Sequence, residues 1–237
     1  MLNFFRPFLS QLRDKWREVP VNEGRVFSRE LLAMDEASFL RTWQDNDASP
    51  ERRWYREHYA PLVKDKDVLD LGCGFSVDGI HFLRSGARVT FADIVQDNLA
   101  ATRRVAEHFG LPAEYYYIDD IKRFRLPREY DFIFAIGSLH NAPFALAQKE
   151  VAAVSKFLRP GGLFLLFTYP KERYDQSGAR NFREFGRKTD GERTPWCEWY
   201  DDEKIRRLFG AGFELRWSRI FGRRDQPDFN WFEVRKR

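Results

Sequence analysis

The chain has 237 residues, 43% of them hydrophobic and 32% charged, which suits one sizeable α/β domain with additions and excludes wholesale disorder, collagen-like repetition and a disulfide scaffold. Its two cysteines, Cys73 and Cys197, form no Cys-x-x-Cys pair and no cluster with histidine at ligand spacing, so no metal site is expected. The net charge of +4 falls wholly in residues 171–237, with 17 basic against 13 acidic side chains, too diffuse for a nucleic-acid stripe.

At the start of the chain Phe5, Phe8, Leu12 and Trp16 share one helical face, with Arg6, Arg13, Lys15 and Arg17 elsewhere. Packing against the protein's own domain is the favoured reading of that face, ahead of a lid over a pocket or peripheral contact with a membrane. No stretch approaches the roughly 20 apolar residues of a membrane span, and the apolar core of a secretory signal is missing, so the expected compartment is the cytoplasm. Trp54, Tyr55, His58 and Tyr59 fall on a further helix, and Tyr55 and Tyr59 lie one turn apart on the same face. They are candidates to cover a ligand or to pack the helix down.

From Val68 the pattern becomes regular. Apolar runs at 68–71, 88–92, 113–118, 130–136 and 163–169 alternate with helical stretches at 77–85, 97–109 and 143–158, which predicts parallel strands joined by crossover helices. Gly86, Gly110 and Gly161-Gly162 stand where those helices stop. Residues 171–200 break the regularity and read as an insertion on the substrate side. A helix over 201–209, begun by acidic residues, then leads to strands at 213–221 and 229–234, close enough to pair antiparallel. The fold class is α/β: a doubly wound, mostly parallel seven-stranded sheet with an antiparallel C-terminal hairpin strand. Residues 1–60 form an N-terminal helical cap and 61–237 the main domain.

A strand running into Gly72-Cys73-Gly74 and then a helix brings backbone N–H groups close to a ligand, because glycine carries no side chain to obstruct approach. A dinucleotide fingerprint wants a third glycine or alanine three residues after Gly74, where this chain has Val77, so a pyrophosphate is disfavoured. Asp93 ends the next strand, where a carboxylate can accept hydrogen bonds from two ribose hydroxyls. Its alternative is a helix-capping role.

Val68-Leu69-Asp70-Leu71-Gly72-Cys73-Gly74, Asp93, Asp119-Asp120-Ile121, Tyr130-Asp131-Phe132-Ile133, Leu139-His140-Asn141 and Leu158-Arg159-Pro160-Gly161-Gly162 resemble the ordered motifs of the class I S-adenosylmethionine-dependent methyltransferases. The resemblance runs from about 60 to 170 and recurs at Gly210-Ala211-Gly212-Phe213. It implies that Gly72, Cys73 and Gly74 hold the methionine part of S-adenosylmethionine through backbone, with Asp70 near its amino group. It further implies that Asp93 meets the ribose, with Ile94 beside it in the cofactor site, that Asp120 and Ile121 meet the adenine, with Asp119 adjoining and the register open by one residue, and that Gly137 and Ser138 line the sulfonium side. Phe75 is bulkier than usual in such a loop, and Ser76 stands where a third small glycine often does.

Methyl transfer is an in-line displacement, so alignment comes first, and a hydroxyl or ammonium acceptor also has to lose a proton. His140, just past the fourth strand, is the candidate base, with substrate contact and a structural role as its alternatives. Asn141 could orient a substrate or cap the next helix. Trp196, Glu198, Trp199 and Tyr200 in the insertion could recognise a sugar, an aromatic ring or a cationic amine, or anchor the core. The expected activity is methylation of a small molecule, a hydroxyl preferred over an amine. A nucleic-acid methyltransferase is disfavoured, because neither an Asn-Pro-Pro-Tyr motif nor a Pro-Cys nucleophile follows the fourth strand. A cofactor-binding partner protein without catalysis is the third reading.

Overall fold

The computed structural model describes residues 5–21, 24–120, 125–222 and 226–237, with side chains from Phe8 onward. Two compact units divide the chain: residues 16–119, and residues 1–15 with 120–237. The stretch 1–60 is therefore shared, since the first helix α1 (Phe5–Trp16) gives all but its last residue to the second unit. The strand order over the seven-stranded sheet is β5-β4-β3-β6-β7-β9-β8.

In the unit 16–119, β3 (Asp67–Leu71) pairs in parallel with β4 (Arg88–Asp93), from Asp67 opposite Arg88 to Leu71 opposite Ala92. β4 pairs in parallel with β5 (Glu114–Tyr117). Every residue of β3 is buried, as in a parallel strand covered on both faces. The crossovers are α5 (Val77–Arg84) and α6 (Gln96–His108), and α6 buries Leu99, Ala101, Thr102, Val105 and Ala106. Gly86 and Gly110 follow them at φ 89° and 64°, the left-handed stop that glycine permits.

Sequence periodicity missed part of this unit. An antiparallel hairpin, β1 (Glu18–Val21) with β2 (Gly24–Phe27), precedes α2 (Ser28–Ala33), α3 (Glu36–Asp47) and α4 (Arg53–Val63). Each strand has four residues, too few to show a period of two. α3 did carry a start signal: Asp35 caps it by accepting from Ser38 N at 2.9 Å.

In the other unit, Phe8 and Leu12 of α1 are buried, as the helical stripe predicts for packing onto the protein. β6 (Tyr130–Ile136) pairs in parallel with β7 (Leu158–Thr168), β7 antiparallel with β9 (Phe229–Lys236), and β9 antiparallel with β8 (Phe213–Phe221). α7 (Phe144–Val154) ends earlier than its pattern suggests. A 3-10 turn over Ser155–Phe157 follows, and β7 already begins at Leu158, so Gly161-Gly162 lie inside a strand. A Cβ on Gly162 would meet Leu158, the Arg159 carbonyl and the Asp131 carbonyl within 2.9 Å, a closeness that explains glycine there. The stretch expected to be irregular holds α8 (Lys171–Gln176) and α9 (Phe182–Asp190) before α10 (Asp202–Phe209). Asn181 caps α9 by accepting from Arg183 N and Glu184 N, and Asp201 caps α10 by accepting from Lys204 N.

Candidate cofactor and acceptor sites

The glycine turn follows β3 directly. Gly72 has φ 72° and Gly74 φ 55°, and a Cβ on Gly74 would meet nothing within 4 Å, so open space lies beside it. The sequence reading gave the turn free N–H groups, and the structure corrects that. Gly72 N and Cys73 N both donate to Ala92 O, at 2.7 and 3.2 Å, Gly74 N donates to Asp93 Oδ2 at 2.9 Å, and Ser76 N donates to Cys73 O. The physical reason is the parallel neighbour: β4 ends one residue beyond the register of β3 and offers its last acceptors to the turn.

Two buried carboxylates flank the turn. Asp93, 4% exposed, also accepts from Val95 N at 2.8 Å and from Asn98 Nδ2 at 3.3 Å, and burial pushes its carboxyl up to about 6 against those hydrogen bonds. Asp70 accepts from Ser76 Oγ at 2.6 Å, and burial pushes it up to about 7. The small residue that admits this arrangement is Gly79, which sequence reasoning overlooked. A Cβ there would collide with Asp70 Oδ2, Phe91 and Ser76 Oγ, so Gly79 lets α5 sit directly on the strand ends. Its signal was a glycine in the first turn of a helix, five residues past Gly74.

Ile94 is half-buried in the turn after Asp93, and Ile118 N donates to Asp93 O, which brings the end of β5 and thus exposed Asp119 near the same strand end. Asp120 opens the second unit, and Ile121 lies outside the described residues. Tyr55 and Tyr59 are completely buried. The Tyr55 hydroxyl donates to Asp78 Oδ1 at 2.9 Å, beside Arg56 Nε at 2.8 Å and the Arg52 guanidinium. The two guanidinium groups hold the Asp78 carboxyl below the usual range although burial opposes its charge, and burial with that carboxylate pushes the Tyr55 phenol well up. This charged knot ties α4 to α5; nothing in the sequence marked Asp78 as its centre.

The second unit carries a separate polar cluster. Gly137 (φ 71°) turns the chain out of β6, its N–H bonded to Phe167 O, and half-buried Ser138 follows. His140 is 2% exposed and Asn141 1%. Asn141 Nδ2 donates to Asp190 Oδ2 at 3.0 Å, the Tyr169 hydroxyl donates to Asp190 Oδ1 at 2.8 Å, and His140 Nε2 lies 3.7 Å from Asp190 Oδ2. Burial works against the Asp190 charge, yet His140, Asn141 and Tyr169 together hold its carboxyl well below the usual range. Asp190, the last residue of α9, was not foreseen. Cys197 joins His140 and Asp190 with ligand atoms within 4.8 Å of one another, and both Asp190 oxygens already accept hydrogen bonds from Asn141 and Tyr169.

The four insertion candidates are brought together around Lys204. Its Nζ donates to Glu198 Oε1 at 2.8 Å and to Trp199 O at 3.0 Å, and lies 3.7 Å from the centre of the Trp199 ring. Trp196 Nε1 donates to Glu198 Oε2 at 2.9 Å, and Glu198 N to His140 O at 2.7 Å. Glu198 is thus saturated by its own neighbours. Tyr200 is 1% exposed, its N–H bonded to Tyr169 O and its hydroxyl without a hydrogen bond.

A glycine turn whose amides are already bonded, between two buried carboxylates at parallel strand ends, is a poor cradle for phosphate and a good one for hydroxyls and a cation. That is the class of domain the fold and the first unit define. Residues 68–162 match the methyltransferase domain family. Over 119 residues it is 31% identical to the ubiquinone biosynthesis O-methyltransferase of Nitrosococcus oceani, covering 49% of each chain. Over 120 residues it is 29% identical to the S-adenosyl-L-methionine-dependent Diels-Alderase of Talaromyces variabilis, covering 49% of this chain and 40% of that protein. The chain thus spans less than half the length of these curated relatives. The crystal structure of magnesium protoporphyrin IX methyltransferase from Synechocystis with bound S-adenosylhomocysteine shares the fold, with a TM-score of 0.62 at 16% identity over 98% of this chain and 97% of that one.

Proposed function

We propose that the chain binds S-adenosylmethionine and methylates a hydroxyl group of a small molecule. The observation that carries this reading is the bonding of the loop: Gly72, Cys73 and Gly74 have spent their N–H groups on Ala92 and Asp93 and face open space at Gly74, while Asp70 and Asp93 supply buried negative charge. A pyrophosphate there would lack donors and meet two carboxylates; a ribose diol and an ammonium group find acceptors. In this reading Asp93 holds the ribose with Ile94 beside it, Asp70 the amino group, Gly72, Cys73 and Gly74 the methionine part through their backbone, Asp119 and Asp120 the adenine end, and Gly137 with Ser138 the sulfonium side. The cofactor supplies a methyl group on a sulfonium centre, an electrophile that needs no acid. The chain's own work is to align the acceptor and take its proton, and His140 is the group suited to that.

Among the described residues no helix is long and apolar enough to cross a membrane, which is compatible with a dissolved acceptor. Calorimetry with S-adenosylhomocysteine tests the cofactor reading, and absence of binding overturns it. A second reading, a cofactor-dependent cyclisation without methyl loss, draws on the Talaromyces relative. Release of S-adenosylhomocysteine in step with product formation separates the two.

A further inference from the structure

Asn141 Nδ2 donates to Asp190 and His140 Nε2 lies 3.7 Å from it, whereas His140 Nδ1 and Asn141 Oδ1 are buried without a hydrogen-bond partner. Leaving a buried nitrogen unpaired costs about 1–3 kcal/mol, so a fold that keeps one needs a compensating use for it. Asp190 decides which use is open. A carboxylate beside Nε2 favours the tautomer with its proton on Nε2, and the lone pair then sits on Nδ1. The 3.7 Å separation is long for a hydrogen bond, as such contacts often are before a ligand tightens them.

We propose that Asp190 is a positioning residue that holds His140 in the Nε2–H tautomer, so that Nδ1 is the base which removes the proton of an acceptor hydroxyl. The inference rests on the methyl-transfer reading. In the step, the hydroxyl proton moves to Nδ1, the freed oxygen pair forms the bond to the methyl carbon, and the pair of the broken carbon–sulfur bond stays on sulfur. His140 becomes an imidazolium whose Nε2–H faces a carboxylate already ionised. The other groups around it leave this role to Asp190. Tyr169, whose ring centre is 4.7 Å from that of His140, has spent its hydroxyl on Asp190. Arg173 lies over the Tyr169 ring, the Cys197 thiol is pushed up by burial, and the Glu198 carboxylate is neutralised by Lys204. The acceptor class this fits is an alcohol or phenol, which must lose a proton in transfer.

The test is nitrogen NMR on the full chain labelled with [15N]histidine, the His140 signals assigned as those lost in His140→Gln. At pH 8 the expected result is an unprotonated Nδ1 and a protonated Nε2 in the unsubstituted protein. In Asp190→Asn the proton moves partly or wholly to Nδ1, and Asp190→Glu restores the original pattern. A protonated Nδ1 in the unsubstituted protein overturns the proposal even if Asp190→Asn does not fold, and so does an unchanged tautomer in a folded Asp190→Asn. Calorimetry of the same variant with S-adenosylhomocysteine keeps the two readings apart: binding is expected to persist, and its absence in the unsubstituted protein would count against the cofactor reading alone.

Discussion

The glycine turn of the first unit and the His140 cluster of the second solve the burial of polar groups in opposite ways. Around Gly72–Gly74 the backbone donors are satisfied by the protein itself, and the buried titratable groups are carboxylates, Asp70 bonded to Ser76 and Asp93 to Gly74, Val95 and Asn98, both pushed up by burial. Around His140 the carboxylate is saturated and held down, and the unspent capacity is a nitrogen without a hydrogen-bond partner, Nδ1. On the proposed reading the first arrangement takes hydroxyls and positive charge and the second a proton donor, the division that methyl transfer from a sulfonium to a hydroxyl would use.

The largest effect that could break this contrast is on turnover. His140→Gln should lower kcat by about 10²–10⁴-fold, the range for removing a general base, with S-adenosylhomocysteine affinity unaltered in calorimetry. Equal losses of affinity and turnover would place His140 in the cofactor site instead. Next comes the scaffold of the first unit. Asp78→Ala leaves Arg52 and Arg56 without their shared carboxylate and should cost about 3–5 kcal/mol of folding stability in urea unfolding. A loss below about 1 kcal/mol would mean the knot is no more than a surface pair. Smaller again, Asp93→Asn should weaken S-adenosylhomocysteine binding by about 10–100-fold, the worth of hydrogen bonds to a charged acceptor. Unchanged affinity would remove the ribose role.

How much of this was legible in the sequence differs between the two regions. The strand-turn-helix at Asp70–Ser76 and the carboxylate at Asp93 are local signals, fixed by the alternation of apolar runs and glycine, and they can be read without knowing what packs where. The bonding of the loop amides to Ala92 was not legible, because it depends on a neighbouring strand's register. Asp190 lies 49 residues from Asn141 and 21 from Tyr169, and no spacing rule links them. A local clue to α9 existed all the same: Asn181 before Phe182 and Phe185 is a cap followed by apolar residues one turn apart. Glu198 drew attention as a possible ligand group, and only the structure reveals that Trp196 and Lys204 occupy both its oxygens.

The contrast is sharpened last through pH. Burial raises Asp70 to about 7, opposed by the Ser76 hydrogen bond and reinforced by Asp78 and Asp93, whereas in the unfolded chain an aspartate titrates near its ordinary value of about 3.9. Between those two values the folded chain binds the more protons, so this contribution to stability is full below about pH 4 and is lost as the pH rises through 7. Asp70→Asn cannot ionise. Urea midpoints compared at pH 5 and pH 8 should therefore fall less with pH in the variant than in the unsubstituted protein, by about 2–3 kcal/mol in free energy, the part of the shift that lies above pH 5. Saturating S-adenosylhomocysteine should flatten the unsubstituted protein's slope as well, because an ammonium group beside Asp70 favours its ionised form. Parallel pH profiles with and without the ligand would move the amino group away from Asp70 and leave the carboxylate as a strut for Ser76.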